Sequence, residues 1–73
     1  MNSEEFEAVL ALDDRFKLRV DFIRGHRGKG RWRAALRWNA NDFNRYLVGD
    51  YMHAYSKNRE TAITTLANMY ANY

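Results

Sequence analysis

Residues 15–22 alternate without a break: Phe16, Leu18, Val20 and Phe22 fall on one parity, Arg15, Lys17, Arg19 and Asp21 on the other. A period of two rich in aromatic and β-branched residues predicts a strand with one buried and one solvated face. Residues 31–38 repeat the pattern, with Trp32, Ala34, Leu36 and Trp38 against Arg31, Arg33, Ala35 and Arg37. The intervening segment RGHRGKG holds three glycines, which adopt positive φ at little steric cost, and reads as a hairpin connection.

The flanking segments are less strict. In EFEAVLAL, residues 5–12, Phe6, Ala8, Leu10 and Leu12 share a parity, and Asp13-Asp14 follow as a turn signal. This segment reads as the first strand of a three-stranded antiparallel meander. A helix capped by Ser3, with Phe6, Val9 and Leu10 as its apolar face, is the alternative. Residues 41–55 stay open: Phe43, Leu47, Tyr51 and Tyr55 have i, i+4 spacing behind a capping Asn41, yet GDYMHAYS fits a fourth strand entered through Gly49. The C-terminal segment predicts a helix, with Asn58 as N-cap, Glu60 in the first turn and an apolar stripe of Ala62, Ile63, Leu66, Ala67, Met69 and Tyr70. Together these elements predict an α+β fold: a sheet of three or four antiparallel strands with the C-terminal helix on one face.

A chain of 73 residues makes one domain, residues 1–73, with a small core. It lacks cysteine, so neither disulfides nor a thiolate zinc site contribute. The first residues are acidic, and no long apolar run occurs. These features point to the cytoplasm and away from a membrane. The tyrosines at 46, 51, 55, 70 and 73 exceed what one helix face can bury, which suggests a homodimer or a partner complex.

Charge adds the strongest functional signal. The net charge of +3 is uneven: residues 1–14 are acidic, residues 38–73 are balanced, and residues 15–37 hold nearly all the excess base. With the apolar parity turned to the core, Lys17, Arg19, Arg31, Arg33 and Arg37 project from the opposite face, and Arg24, Arg27 and Lys29 continue that surface into the hairpin loop. These eight residues are the candidate binding residues, for nucleic acid or an acidic protein partner. An arginine fork matches phosphate, and a glycine-rich tip can follow a groove. The competing reading is a solvated sheet face whose Lys17 and Arg19 pair across to Glu5 and Glu7. The parity of Trp32 and Trp38 assigns them to the core.

Several motifs fail. GHRGKGR lacks the spacing, the Ser or Thr and the following helix of a phosphate-binding loop. His26 and His53 have no carboxylates at metal-ligand spacing, and Asp13-Asp14 are neighbouring turn acids without a concave site around them. No nucleophile and base can be assembled, so the chain is expected to be a non-enzyme without cofactor or small-molecule substrate.

The tail AYSKNRETAITTLANMY is similar to the strand-then-helix end of HicB-type antitoxin domains. Asn58 stands for the Thr that opens their helix, Glu60 for the first Glu and Ala62 for the Ala, while Thr61 breaks the second Glu. That resemblance implies a β-meander followed by a helix. In size, lack of cysteine and lack of a catalytic motif the chain also resembles small phage-encoded inhibitors of host defence, anti-CRISPR proteins among them. This second resemblance implies an inhibitor that occupies a surface of a host nucleoprotein complex by protein–protein interaction in the host cytoplasm. Direct DNA or RNA binding, as a module or dimeric regulator, is the alternative function.

Overall fold

The computed structural model describes residues 1–25, 30–39 and 49–72. Three strands, β1 (Phe16–Arg24), β2 (Gly30–Trp38) and β3 (Asp50–Ser56), form an antiparallel sheet in the order β1-β2-β3. The β1–β2 register pairs Phe16 with Trp38, Leu18 with Leu36, Val20 with Ala34 and Phe22 with Trp32, so the apolar parities meet on one face as the alternation requires. Across β2 and β3, Ala34 faces Ala54 and Leu36 faces Met52. The fold is α+β, with helices α1 (Ser3–Ala11) and α2 (Arg59–Ala71) on this apolar face. Residues 41–48 of the segment left open above lie outside the described residues; from Asp50 onward the segment is strand.

The first segment is a helix, which corrects the strand expected over residues 5–12. Its cap is Asn2, whose side chain accepts the Glu5 N–H at 2.8 Å, while Ser3 lies in the first turn. Glu4 and Glu5 there interact favourably with the positive end of the helix dipole. Only Phe6 and Leu10 are buried, four residues apart; Leu12, on the same parity, is 89% exposed. Glu5 and Glu7 are therefore on a helix, and the expected cross-strand pairs to Lys17 and Arg19 do not form.

α2 lies over β2 and β3, and α1 over β1. Small residues at the contact, Ala34 and Ala54 below and Ala62 and Ala67 above, let α2 approach the sheet, and Ile63, Leu66 and Leu36 fill the space between. Ser3 Oγ donates to Glu60 Oε2 at 2.9 Å, and Tyr70 Oη donates to Asp13 Oδ2 at 2.7 Å. The two contacts have the same sequence offset, so the helices run side by side in the same direction. At the Asp13 end an aromatic cluster closes the core: Phe16 stacks on Tyr51 at 4.7 Å and meets Trp38 at 4.8 Å, with Tyr70 edge-on. Both tryptophans are on the core face, and Tyr51 and Tyr70 pack against the core. Tyr46 and Tyr73 lie outside the described residues. Among the described residues no helix is long and apolar enough to cross a membrane.

Candidate functional site

The register that sets Leu18 and Leu36 on the core face turns the odd-numbered residues of β1 and β2 to the uncovered face. Across the three strands its rows read Asp21, Arg33, Tyr55; then Arg19, Ala35, His53; then Lys17, Arg37, Asp50. Ile23 and Arg31 form the last row toward the hairpin. Lys17, Arg19, Arg31, Arg33 and Arg37 thus share one face. Ala35 is fully buried on it, because the long side chains beside it lean over the floor it provides.

These cations are not equivalent. Arg19 meets Asp21 at 2.9 Å, Arg33 lies between Asp21 at 3.7 Å and Asp50 at 3.6 Å, and Arg37 meets Asp50 at 3.7 Å. The result is a charge chain, Arg19–Asp21–Arg33–Asp50–Arg37, running diagonally over the sheet. Three of its four distances exceed hydrogen-bond length, and the buried Arg33 Nε has no hydrogen-bond partner among the described residues. Such pairs contribute little to stability, about 0–1 kcal/mol each, but they divert three of the expected binding cations onto the protein's own carboxylates.

Three further described cations gather at the hairpin end of the sheet. Arg24 closes β1, Arg31 is the second residue of β2, and Lys57 follows β3 by one residue. None of them has a carboxylate partner among the described residues. Arg31 instead places its guanidinium carbon 4.1 Å from the centre of the Tyr55 ring, which His53 meets edge-on at 5.3 Å. A shallow cleft of about 650 Å³ opens between Ile23, Arg24, Arg31, Tyr55, Ser56 and Lys57. Lys17 is exposed at the opposite end of β1, also without a carboxylate partner among the described residues. Arg27 and Lys29 lie outside the described residues, as does His26.

Sequence reasoning missed Tyr55 and Lys57 as members of this group. Once residues 50–56 are taken as a strand, parity carries His53 and Tyr55 outward together, and the Ser56–Trp32 pairing brings Lys57 beside Arg31. The placement of Arg24 also differs from expectation. It is not in the loop but pairs with Gly30 at the end of the strand ladder.

A second hydrogen-bonded cluster lies at the far end of the molecule, eight residues back along β1, or roughly 26 Å. Asp13 takes two hydrogen bonds from the Arg15 side chain and one from the Tyr70 hydroxyl, which hold its carboxyl far below the usual range. The same bond to Asp13 pushes the Tyr70 phenol up, and the pairing raises Arg15 further above its already high value. This cluster fastens the α1–β1 turn to α2. Among the described residues no group of His, Cys, Asp or Glu could hold a metal ion. The hairpin end offers fixed positive charge, an aromatic face and a concave floor, which suits binding. Compared with known proteins, the chain matches no family model, no curated protein and no solved structure.

Proposed function

We propose that this chain is a small non-enzymatic binding protein that engages nucleic acid through the hairpin end of its sheet. The observation that carries this reading is the convergence of Arg24, Arg31 and Lys57, free of carboxylate partners among the described residues, on one cleft beside Tyr55. Unpaired cations attract phosphate without first breaking an internal ion pair, and each phosphate neutralised releases condensed counterions. The charge chain next to the cleft limits the field: its two carboxylates repel phosphate and confine the contact to the sheet end.

The test is fluorescence anisotropy with a labelled oligonucleotide at increasing salt. Three phosphate contacts predict a log–log slope of about −2 to −3. The Arg24→Ala/Arg31→Ala/Lys57→Ala variant is expected to lose that slope together with most of the affinity. Asp21→Asn/Asp50→Asn frees three arginines and is expected to tighten binding and steepen the slope. No salt-dependent binding at about 50 mM salt, or no response to either set of changes, overturns the reading.

A second reading rests on the charge chain itself. Alternating fixed charges recognise a patterned protein surface better than a uniform polyanion, because each misplaced like charge is repelled. On this reading the chain is a phage or mobile-element inhibitor of the anti-CRISPR type that occupies a host nucleoprotein complex in the cytoplasm. It predicts co-purification with one host complex that survives nuclease treatment and is lost in Asp21→Asn/Asp50→Asn.

A further inference from the structure

We infer that the cleft at the hairpin end takes an unpaired base, which makes single-stranded nucleic acid the preferred ligand; this rests on the nucleic-acid reading above. Three features argue for a base rather than phosphate alone. First, Tyr55 is 39% exposed on a face whose other residues are mostly charged, and the Arg31 guanidinium already lies against its ring at stacking distance. Guanidinium planes and tyrosine rings are both surfaces on which bases stack, so a base in this layer meets a π-face and a cation at once. Secondly, the surroundings suit a nucleotide: Ile23 supplies an apolar wall, Ser56 a hydroxyl, and Arg24 and Lys57 flank the cleft where the phosphates on either side of the base would run.

Thirdly, an aromatic ring is exposed on the other side of the same strand ends. Phe22 is 52% exposed and meets Trp32 at 5.2 Å. Its ring lies across Gly30, where an added Cβ would collide with Phe22 Cζ. The glycine is what lets the ring occupy that place. A strand passing over the end of the sheet therefore meets Tyr55 on one side and Phe22 on the other. A duplex keeps its base faces stacked within itself and cannot offer them to either ring.

The experiment compares oligo-dT, oligo-rU and a DNA duplex of equal length by anisotropy on the whole chain, with Tyr55→Ala, Tyr55→Phe and Arg24→Ala variants. At least one single strand is expected to bind roughly tenfold or more tightly than the duplex, and the tighter of the two identifies DNA or RNA as the source. Tyr55→Ala should weaken single-strand binding roughly 5- to 150-fold and leave duplex binding unchanged, whereas Tyr55→Phe should restore it. Arg24→Ala should weaken both ligands through lost charge. Equal affinity for duplex and single strands, or loss on Tyr55→Ala that Tyr55→Phe does not restore, overturns this inference and leaves the nucleic-acid reading standing. Salt-independent or absent binding of every ligand overturns both.

Discussion

Phe16→Ala is expected to remove about 3–5 kcal/mol of stability, the range for truncating a buried aromatic side chain. Phe16 is 4% exposed and holds together rings from four elements: Tyr51 from β3, Trp38 from β2, Tyr70 from α2, and through Tyr70 the Phe6 ring of α1 at 5.5 Å. A chain of this length has roughly 4–11 kcal/mol to lose, so the substitution consumes a large share of it. Urea unfolding followed by far-UV circular dichroism should show the midpoint falling, and the near-UV aromatic signal should weaken even where the chain remains folded. Phe16→Leu keeps most of the volume and should cost much less. A loss below about 1 kcal/mol for the alanine variant would show that the cluster does not organise the core.

Asp13→Ala is the second large effect. The Asp13 carboxylate accepts the Arg15 backbone N–H at 3.1 Å, Arg15 Nε at 3.0 Å and Nη2 at 2.9 Å, and the Tyr70 hydroxyl at 2.7 Å. Its side chain is 13% exposed and that of Arg15 67%, so solvent screens the arginine's share and the tyrosine bond contributes more. About 2–3 kcal/mol is expected for Asp13→Ala and about 1–2 for Tyr70→Phe, with strong coupling in a double-mutant cycle. The pH dependence follows from the direction of the shift. The folded carboxyl has a depressed pKa, so its stabilising contribution is complete above the unfolded value near 4 and falls away as pH drops from there toward the folded pKa. Acid unfolding should therefore begin below about pH 4 in the native chain. The Asp13→Ala variant should lack that component. Parallel acid profiles for the two would rule the latch out.

β1, β2 and α2 were legible because each carries one period with no competitor. The strands alternate strictly, and α2 opens at Asn58, whose Oδ1 accepts the Thr61 N–H at 3.1 Å. α1 was not legible, for a geometric reason. Residues i and i+4 share a face in both a strand and a helix, so Phe6 and Leu10 satisfied both readings. Packing decides between them: α2 covers β2 and β3, and the apolar face of β1 is closed by a helix carrying those two side chains. β3 was hidden by an irregularity. The register shifts between Leu36 and Arg37, so Tyr51 and its neighbour Met52 both serve the core, the one against Phe16 and the other beside Leu36, and the parity of the segment is broken. Gly49, with φ at +88°, turns the chain into this strand.

The candidate site was half legible for the same reasons. Alternation alone placed Lys17, Arg19, Arg31, Arg33 and Arg37 on one face. It could not show that Asp21 and Asp50 would engage three of them, since Asp50 reaches Arg33 and Arg37 only through the β2–β3 pairing. Tyr55 carried no signal of its own among the tyrosines until that pairing turned it outward beside Arg31. The charged surface inferred from composition is therefore broader than the part of it free to bind.

The most direct measurement of the central claim is a backbone amide NMR titration of the ¹⁵N-labelled chain with short oligo-dT. Shift changes are expected to concentrate at Arg24, Gly25, Gly30, Arg31 and Tyr55 to Lys57, with smaller ones along the charge chain and little change in α1 and α2. Perturbations centred on the helices, or spread evenly over every basic residue, would contradict that claim.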